Sequence, residues 1–308
     1  MATVLGESGR IIVPPGIAMI ASDLDGTLLL PDGSVGARTR TALDALADSD
    51  LDLVIVTGRP PRWISPIVEM TGHRGIGIGA NGGVVIDLGD GHITDVFPMD
   101  ADAALEAVDR LRHAVPGVVF AVERARPGGR LAPTGGAGYD ALDASLADAT
   151  EFALADGYRP RWPVPPGTHV APIEELVADG DVVKLLVRPG EDHDFDADSF
   201  LSAGDAALAG LVEVTHSNPA DRLLEISAPG VSKASTLALV AQRHDRDHTE
   251  VVAAGDAPND LPMLRWAATS YAVANAHPEV LEAATHHLPS HEEEGVGQLI
   301  EAALAAET

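Results

Sequence analysis

The sequence contains no cysteine, which excludes a disulfide framework, a thiol nucleophile and any thiolate metal site. Positive charge is also scarce: 20 basic residues stand against 47 acidic ones, for a formal charge of −27. A surface of that sign repels nucleic acid and anionic lipid, so neither is an expected partner. No stretch approaches the roughly 20 apolar residues that a membrane helix requires. The segment Met1 to Gly16 holds one arginine and no long apolar run, which argues against a signal peptide and for a cytoplasmic protein. Lysine is nearly absent. Only Lys184 and Lys233 occur, and every other basic residue is arginine. What the chain does have is 308 residues and 45% hydrophobic content, enough for two domains with a sizeable core.

The first third alternates short apolar runs with amphipathic stretches. Ile17 to Ala21 and Leu51 to Val56 read as strands buried on both faces. Between them, Ser34 is placed to cap a helix whose inward stripe is Thr39, Ala42, Leu43 and Leu46. Ile64, Ile67 and Val68 mark one side of a further short helix. The last quarter repeats this pattern: strands at Leu223 to Ile226, Val251 to Ala254 and Tyr271 to Val273, with helices after Ser232, after Gly255-Asp256 and from Pro278. Leu237, Val240 and Ala241 point inward on the first of these helices, and Leu261, Leu264 and Ala268 on the second. Val296 to Ala305 reads as a terminal helix. Strand–helix alternation of this kind implies crossovers and a parallel sheet. The expected fold is an α/β, Rossmann-like doubly wound core, residues 1–85 and 223–308, with an inserted α+β cap at 86–222. The cap reads as helices at Asp102 to Ala114, Pro172 to Ala178 and Asp198 to Ala209, and strands at Val118 to Val122, Val182 to Val187 and Leu211 to Thr215. Gly/Pro-rich connections at 126–138 and 161–167 separate these pieces.

Open parallel sheets place ligands beyond the carboxyl ends of their strands, and acidic residues cluster there. The first strand runs into Asp23-Leu24-Asp25-Gly26-Thr27. Continued extended backbone would turn Asp23 and Asp25 to one side, and two such carboxylates are tolerable only with a cation or a shared proton. A hard divalent ion such as Mg²⁺ suits those oxygens. The second strand delivers Thr57, whose hydroxyl beside Gly58 makes a small anion-binding corner. Lys233 opens a helix, where ammonium and helix N-terminus both favour an anion. A late strand delivers Gly255-Asp256, followed by Asn259-Asp260. Carboxylates, a hydroxyl and a cation in this arrangement suit a phosphoryl group.

The ordered set Asp23-x-Asp25-Gly-Thr, Thr57-Gly-Arg, Lys233 and Gly255-Asp256-x-x-Asn259-Asp260 resembles the haloacid dehalogenase superfamily. Within it the chain is similar to the Cof-type sugar-phosphatase branch with a large type C2 cap. Asn81-Gly82 and Glu294-Gly295-Val296 also look like that branch. The likeness covers nearly all of the expected core and is faint over the cap. The resemblance implies that Asp23 attacks phosphorus and that Asp25 protonates the leaving alcohol and then activates water. It implies Mg²⁺ held by the Asp23 carboxylate, the Asp25 backbone carbonyl and Asp256, with Asp260 supporting. Thr57, Lys233 and Asn259 would hold phosphate oxygens, and Gly58, Arg59 and Asn81 would lie against substrate. An anionic aspartate approaching a phosphate to about 3 Å meets a repulsion of roughly 5 kcal/mol at an effective dielectric near 20. Metal and lysine must offset it.

Other readings of the same residues are weaker. A calcium loop fails because Gly26 falls at the fourth position rather than the sixth. Gly77-x-Gly79-x-x-Gly82 matches a dinucleotide fingerprint by letter, but a strand-like Val84 to Asp87 follows where a helix is required. His286, His287 and His291 are separated by Pro289 and read as surface residues rather than a metal site. Asp102, Glu106 and Asp109 read as a solvated helix face, and Lys184 as a cap-strand residue snorkelling outward. Trp162 fits a specificity loop and a packed turn equally well. The expected activity is a Mg²⁺-dependent phosphatase for a small phosphorylated metabolite, as monomer or homodimer. A phosphomutase on the same scaffold and a non-catalytic metabolite-binding module are the alternatives.

Overall fold

The computed structural model describes residues 11–129, 131, 150–164, 166–190, 193–218 and 220–306. Residues 1–10 and most of the connection at 126–138 lie outside the described residues. Two sheets organise the chain. The larger has eight strands in the order β14-β13-β12-β1-β2-β3-β4-β5: β1 Met19–Ser22, β2 Asp52–Val56, β3 Ile76–Gly79, β4 Val84–Asp87, β5 His92–Val96, β12 Val251–Gly255, β13 Thr269–Val273 and β14 His286–Leu288. Strands β14 through β3 run parallel, and β4 and β5 close one edge antiparallel. Every residue of β1 and β12 is buried, because helices cover both faces of a doubly wound sheet. That is why these strands appear in the sequence as unbroken apolar runs.

The helices follow their apolar stripes. In α1 (Ala37–Leu46) Thr39, Ala42, Leu43 and Leu46 are buried, as their spacing requires. Ser34 does not cap it; its hydroxyl bonds Asp32 instead, and the helix starts after Gly36. The first turn of α1 is served from far along the chain, where the Glu294 carboxylate accepts the Thr39 N–H at 2.7 Å. A carboxylate at a helix N-terminus satisfies an orphan donor and faces the positive end of the dipole. Helix α6 (Lys233–Arg243) carries a reciprocal Ser232–Ser235 capping box. In α7 (Leu261–Trp266) Met263 fills the inward position expected for Ala268, which lies beyond the helix end and is exposed.

The second sheet has six strands, β10-β11-β9-β6-β7-β8: β6 Val119–Ala125, β7 Thr150–Leu154, β8 His169–Val170, β9 Val182–Arg188, β10 Glu213–Thr215 and β11 Leu224–Ser227. It is mainly antiparallel. One face packs on α3 (Ala101–Ala114), α4 (Ile173–Ala178) and α5 (Ala197–Leu208) through Phe120, Val122, Leu185, Val187, Leu111, Leu176 and Phe200. The opposite face carries Ala121, Phe152, Leu154 and Leu186 and turns toward the core. Two sequence-based boundaries move. Strands β4 and β5 belong to the core sheet, so the chain leaves it after Val96 rather than after residue 85. The strand at Leu223 to Ile226, expected in the core, pairs with β9 and β10 in the smaller sheet. Both shifts have one cause: a short apolar run specifies a strand but not the sheet that receives it.

Candidate active site

Strand order reverses around β1, which lies between β12 and β2, and ligands in such sheets bind at that reversal. Asp23 follows β1, Thr57 follows β2 and Asp256 follows β12. Carboxylate oxygens of Asp23, Asp256 and Asp260 lie within 4.8 Å of one another. The buried Lys233 ammonium donates to Asp23 Oδ1 and to Asp260 Oδ1, both at 2.6 Å. Asp260 is a strut as well as a charge, because its Oδ2 accepts the backbone N–H groups of Asp256 and Ala257 at 2.9 and 3.0 Å. Thr27 donates its hydroxyl to Asp256 Oδ1 at 2.7 Å. Its place in the motif was legible from sequence, but not this role.

Burial pushes the Asp23 carboxyl well above the usual carboxylate range, with Asp260 and Asp256 adding repulsion against Lys233. Burial, reinforced by Asp260, likewise pushes Asp256 up to about 7. Burial opposes the charge on Lys233, but Asp23 and Asp260 outweigh it and hold the ammonium firmly protonated. One cation thus faces three converging acids. A hard divalent ion takes oxygen ligands of this kind and restores the ionised forms, so the residues present fit Mg²⁺.

Gly26 makes this approach possible. Its φ is +80°, and a Cβ there would stand 2.5 Å from Asp256 Oδ2. Gly26→Ala is therefore expected to displace the Asp256 carboxylate and weaken Mg²⁺ binding about 10- to 100-fold. A Mg²⁺ titration monitored by turnover measures this; an unchanged half-saturation point would refute it.

Asp25 is not among the converging carboxylates. Strand β1 ends at Ser22 and the chain turns through residues 24–28, with Gly26 in a left-handed conformation. Strand alternation therefore no longer applies at Asp25. Its half-exposed carboxylate receives a bidentate pair from Arg59, at 2.7 Å from Nε and 2.5 Å from Nη2. Arg59, expected against substrate, lines the cavity and also positions Asp25. Thr57 is buried, its hydroxyl oxygen accepting the Arg59 N–H at 3.0 Å. Asn81 sits in a left-handed turn after β3 with φ +57°. It donates to Glu225 Oε2 at 2.6 Å and accepts from Asn259 at 3.0 Å. Asn259 Oδ1 is buried with no partner among the described residues.

The six-stranded sheet supplies the roof, and here Lys184 departs from expectation. It does not snorkel outward. It lies buried on the core-facing side of β9, its ammonium donating to the Gly58 carbonyl at 2.5 Å and standing 3.3 Å from Glu225. Both lysines of this chain are therefore buried around one site. The buried Arg62–Glu123 ion pair, 2.5 Å, likewise ties the segment that follows β2 to β6 of the six-stranded sheet. Trp162 meets Trp63 edge to face at 5.3 Å between ring centroids. Together they help enclose a cavity of about 480 Å³ whose lining runs from Asp23, Thr57 and Asp256 to Trp162, Lys184 and Asp221. Trp162 is thus both packed and part of the wall. Glu123, Asp221 and Glu225 escaped the sequence reading, since acidic residues are common in so acidic a chain.

Three other readings are answered by position. Gly77 to Gly82 forms the end of β3 and a single 3₁₀ turn leading into β4, where the dinucleotide fingerprint requires an α-helix. The late histidines are half-buried and separately engaged: His286 stacks on Tyr271, His287 bonds the Leu281 carbonyl and His291 the Leu29 carbonyl. Asp102, Glu106 and Asp109 are exposed on α3.

Fold and site define a doubly wound α/β enzyme with an acidic cluster at its strand ends, roofed by an inserted second sheet. The chain belongs to the haloacid dehalogenase-like hydrolase family, whose sequence profile matches residues 20–125 and 173–300. It is 27% identical over 298 residues to the 5-amino-6-(5-phospho-D-ribitylamino)uracil phosphatase YwtE of Bacillus subtilis, covering 94% of this chain and 98% of that one. It is 28% identical over 276 residues to the HMP-PP phosphatase of Klebsiella pneumoniae, covering 88% of each. Among solved structures, SMU.1108c of Streptococcus mutans superposes with a TM-score of 0.68 at 20% identity, covering 94% of this chain and 99% of that one. The subclass IIB sugar phosphatase BT4131 gives 0.68 at 17% identity over the same shares. These superpositions speak for the fold. No helix among the described residues is long and apolar enough to cross a membrane.

Proposed function

We propose that this protein is a Mg²⁺-dependent phosphatase that hydrolyses a small phosphorylated metabolite through a phosphoryl-Asp23 intermediate. The observation that carries the reading is the convergence of Asp23, Asp256 and Asp260 on one point, bridged by Lys233, at the floor of a roofed cavity. Family membership and the phosphatase names of the relatives support it.

In this reading an Asp23 carboxylate oxygen bonds to phosphorus as the ester P–O bond breaks. The departing alkoxide takes its proton from Asp25, which Arg59 holds in place. Asp25 then accepts a proton from water as the water oxygen attacks phosphorus. The P–O bond to Asp23 breaks, releasing phosphate and regenerating the carboxylate. Asp23, Asp256 and the Asp25 backbone carbonyl, with Asp260 behind them, would hold Mg²⁺, which when bound would supply positive charge against the phosphoryl oxygens. Lys233 supplies the remainder, and Thr57, Gly58 and Asn259 line the oxygens' berth. The organic part of the substrate meets Trp63, Trp162 and Leu186 together with acids that already have partners, Glu123 on Arg62 and Asp221 on Arg188. Such a wall suits an uncharged ring or polyol better than a second anionic group.

A panel of phosphorylated metabolites, assayed for phosphate release, tests this reading. Release is expected with Mg²⁺, loss with excess EDTA, and recovery on adding Mg²⁺ back. Hydrolysis that persists in EDTA would overturn the metal-assisted mechanism.

A further inference from the structure

The chain spreads 20 basic residues over 308 positions, yet four of its arginines line one cavity outside the site described above. That cavity holds about 440 Å³ and is bounded by Arg159, Arg161, Arg188 and Arg222, with Gly117 and Gly157 among its glycines. None of its described lining residues is acidic. It lies at one end of the six-stranded sheet, where β6 begins, β9 ends and β11 begins, as the pairing of Val119 with Arg188 and of Leu224 with Val187 requires.

The four guanidiniums are poorly balanced. Asp221 accepts a bidentate pair from Arg188 at 2.5 and 2.7 Å and stands 3.2 Å from Arg161. Arg222 spends an N–H on the His193 carbonyl at 2.6 Å, and Arg159 one on the Tyr158 carbonyl at 3.1 Å. Those acceptors orient the side chains without neutralising them. Arg188 is itself buried, and its Nε has no hydrogen-bond partner among the described residues. Gathering like charges in one recess is unfavourable unless an anion occupies it. A planar fork with several N–H donors is the group suited to phosphate oxygens.

We propose that this arginine-lined cavity is a second anion site, separate from the acidic cluster, for a small anion with a chain of phosphoryl groups. The chemistry is specific in two respects. Among the described residues four arginines stand against one carboxylate, which leaves three positive charges to be matched, more than a single phosphate brings. A volume near 440 Å³ also admits a phosphate chain with room for an organic substituent. Asp221 borders the main cavity as well, so an anion that competes for Arg188 and Arg161 reaches the substrate-binding wall through that one carboxylate.

Calorimetry with inorganic tripolyphosphate tests the site. The full chain is used at 150 mM NaCl with EDTA, where the uncompensated acids around Asp23 repel a polyanion. One binding event per chain is expected, and sulfate at equal concentration binds far more weakly. Arg159→Glu alters one exposed side chain, and Arg159→Ala/Arg222→Ala removes two; each is expected to weaken binding at least tenfold while thermal unfolding confirms a folded protein. Failure to bind, equal affinity in the wild type and both variants, or sulfate binding as tightly as tripolyphosphate would overturn the proposal. Because no turnover is read, this outcome is independent of the proposed phosphatase activity.

Discussion

Asp23→Asn is expected to lower kcat by at least about 10⁴-fold while the protein remains folded and as stable as before, or slightly more stable. The loss follows from the role: an amide oxygen is a far weaker nucleophile toward phosphorus than a carboxylate, and the other carboxylate on Lys233, that of Asp260, is fully buried and tied to the backbone N–H groups of Asp256 and Ala257. The stability side follows from electrostatics. Burial and the nearby Asp260 and Asp256 all oppose the charge on Asp23, with Lys233 alone favouring it. A neutral amide of the same shape relieves that repulsion and leaves Lys233 its bond to Asp260. Phosphate release on the preferred substrate, together with thermal melts in EDTA, measures both halves. Substantial residual turnover in pure protein would remove Asp23 from the nucleophile's role, and a collapse of the fold would show that its charge is structural.

Lys233→Met is expected to act on activity and stability together. The Lys233 side chain is completely buried, as is that of Asp260, and it makes short ion pairs to both carboxylates. Removing one partner of a buried pair while leaving the other costs about 3–5 kcal/mol. The lost cation also restores like-charge repulsion between nucleophile and phosphate, which at about 3 Å and moderate dielectric amounts to roughly 5 kcal/mol. A fall in kcat/KM of at least about 10³-fold is therefore expected, with a melting temperature lower by several degrees in EDTA. Mg²⁺ is expected to restore part of the stability, because it supplies charge to the same oxygens, but little of the activity. Kinetics and melts with and without Mg²⁺ separate the two effects. A neutral effect on kcat/KM would mean that another cation, with Lys184 the nearest candidate by position, does this work.

Lys184 shows where legibility stopped. It is one of only two lysines in a chain that otherwise uses arginine, yet the strand pattern around it reads as that of an outward, snorkelling residue. Its direction was not legible, because either face of β9 could have met solvent. Period-2 alternation says that Lys184, Leu186 and Arg188 share a face, and only the docking of the six-stranded sheet decides what that face sees. Asp25 makes the converse case: alternation placed it beside Asp23, and the turn that ends β1 undid the premise. The Glu225–Asn81 and Glu123–Arg62 contacts were invisible for a third reason. Each joins segments far apart in the chain, and in so acidic a sequence one more glutamate carries no signal.

What the linear chain determined by itself was the parallel core and the acidic strand ends, because both are local. An apolar run buried on two faces, the cap at Ser232 and an Asp-x-Asp-Gly-Thr motif at a strand end each state their meaning within a few residues. Tertiary structure alone decided which sheet takes the strand at Leu224, which carboxylates converge, and that four arginines share one recess. Those outcomes depend on distances between segments that no short window of sequence contains.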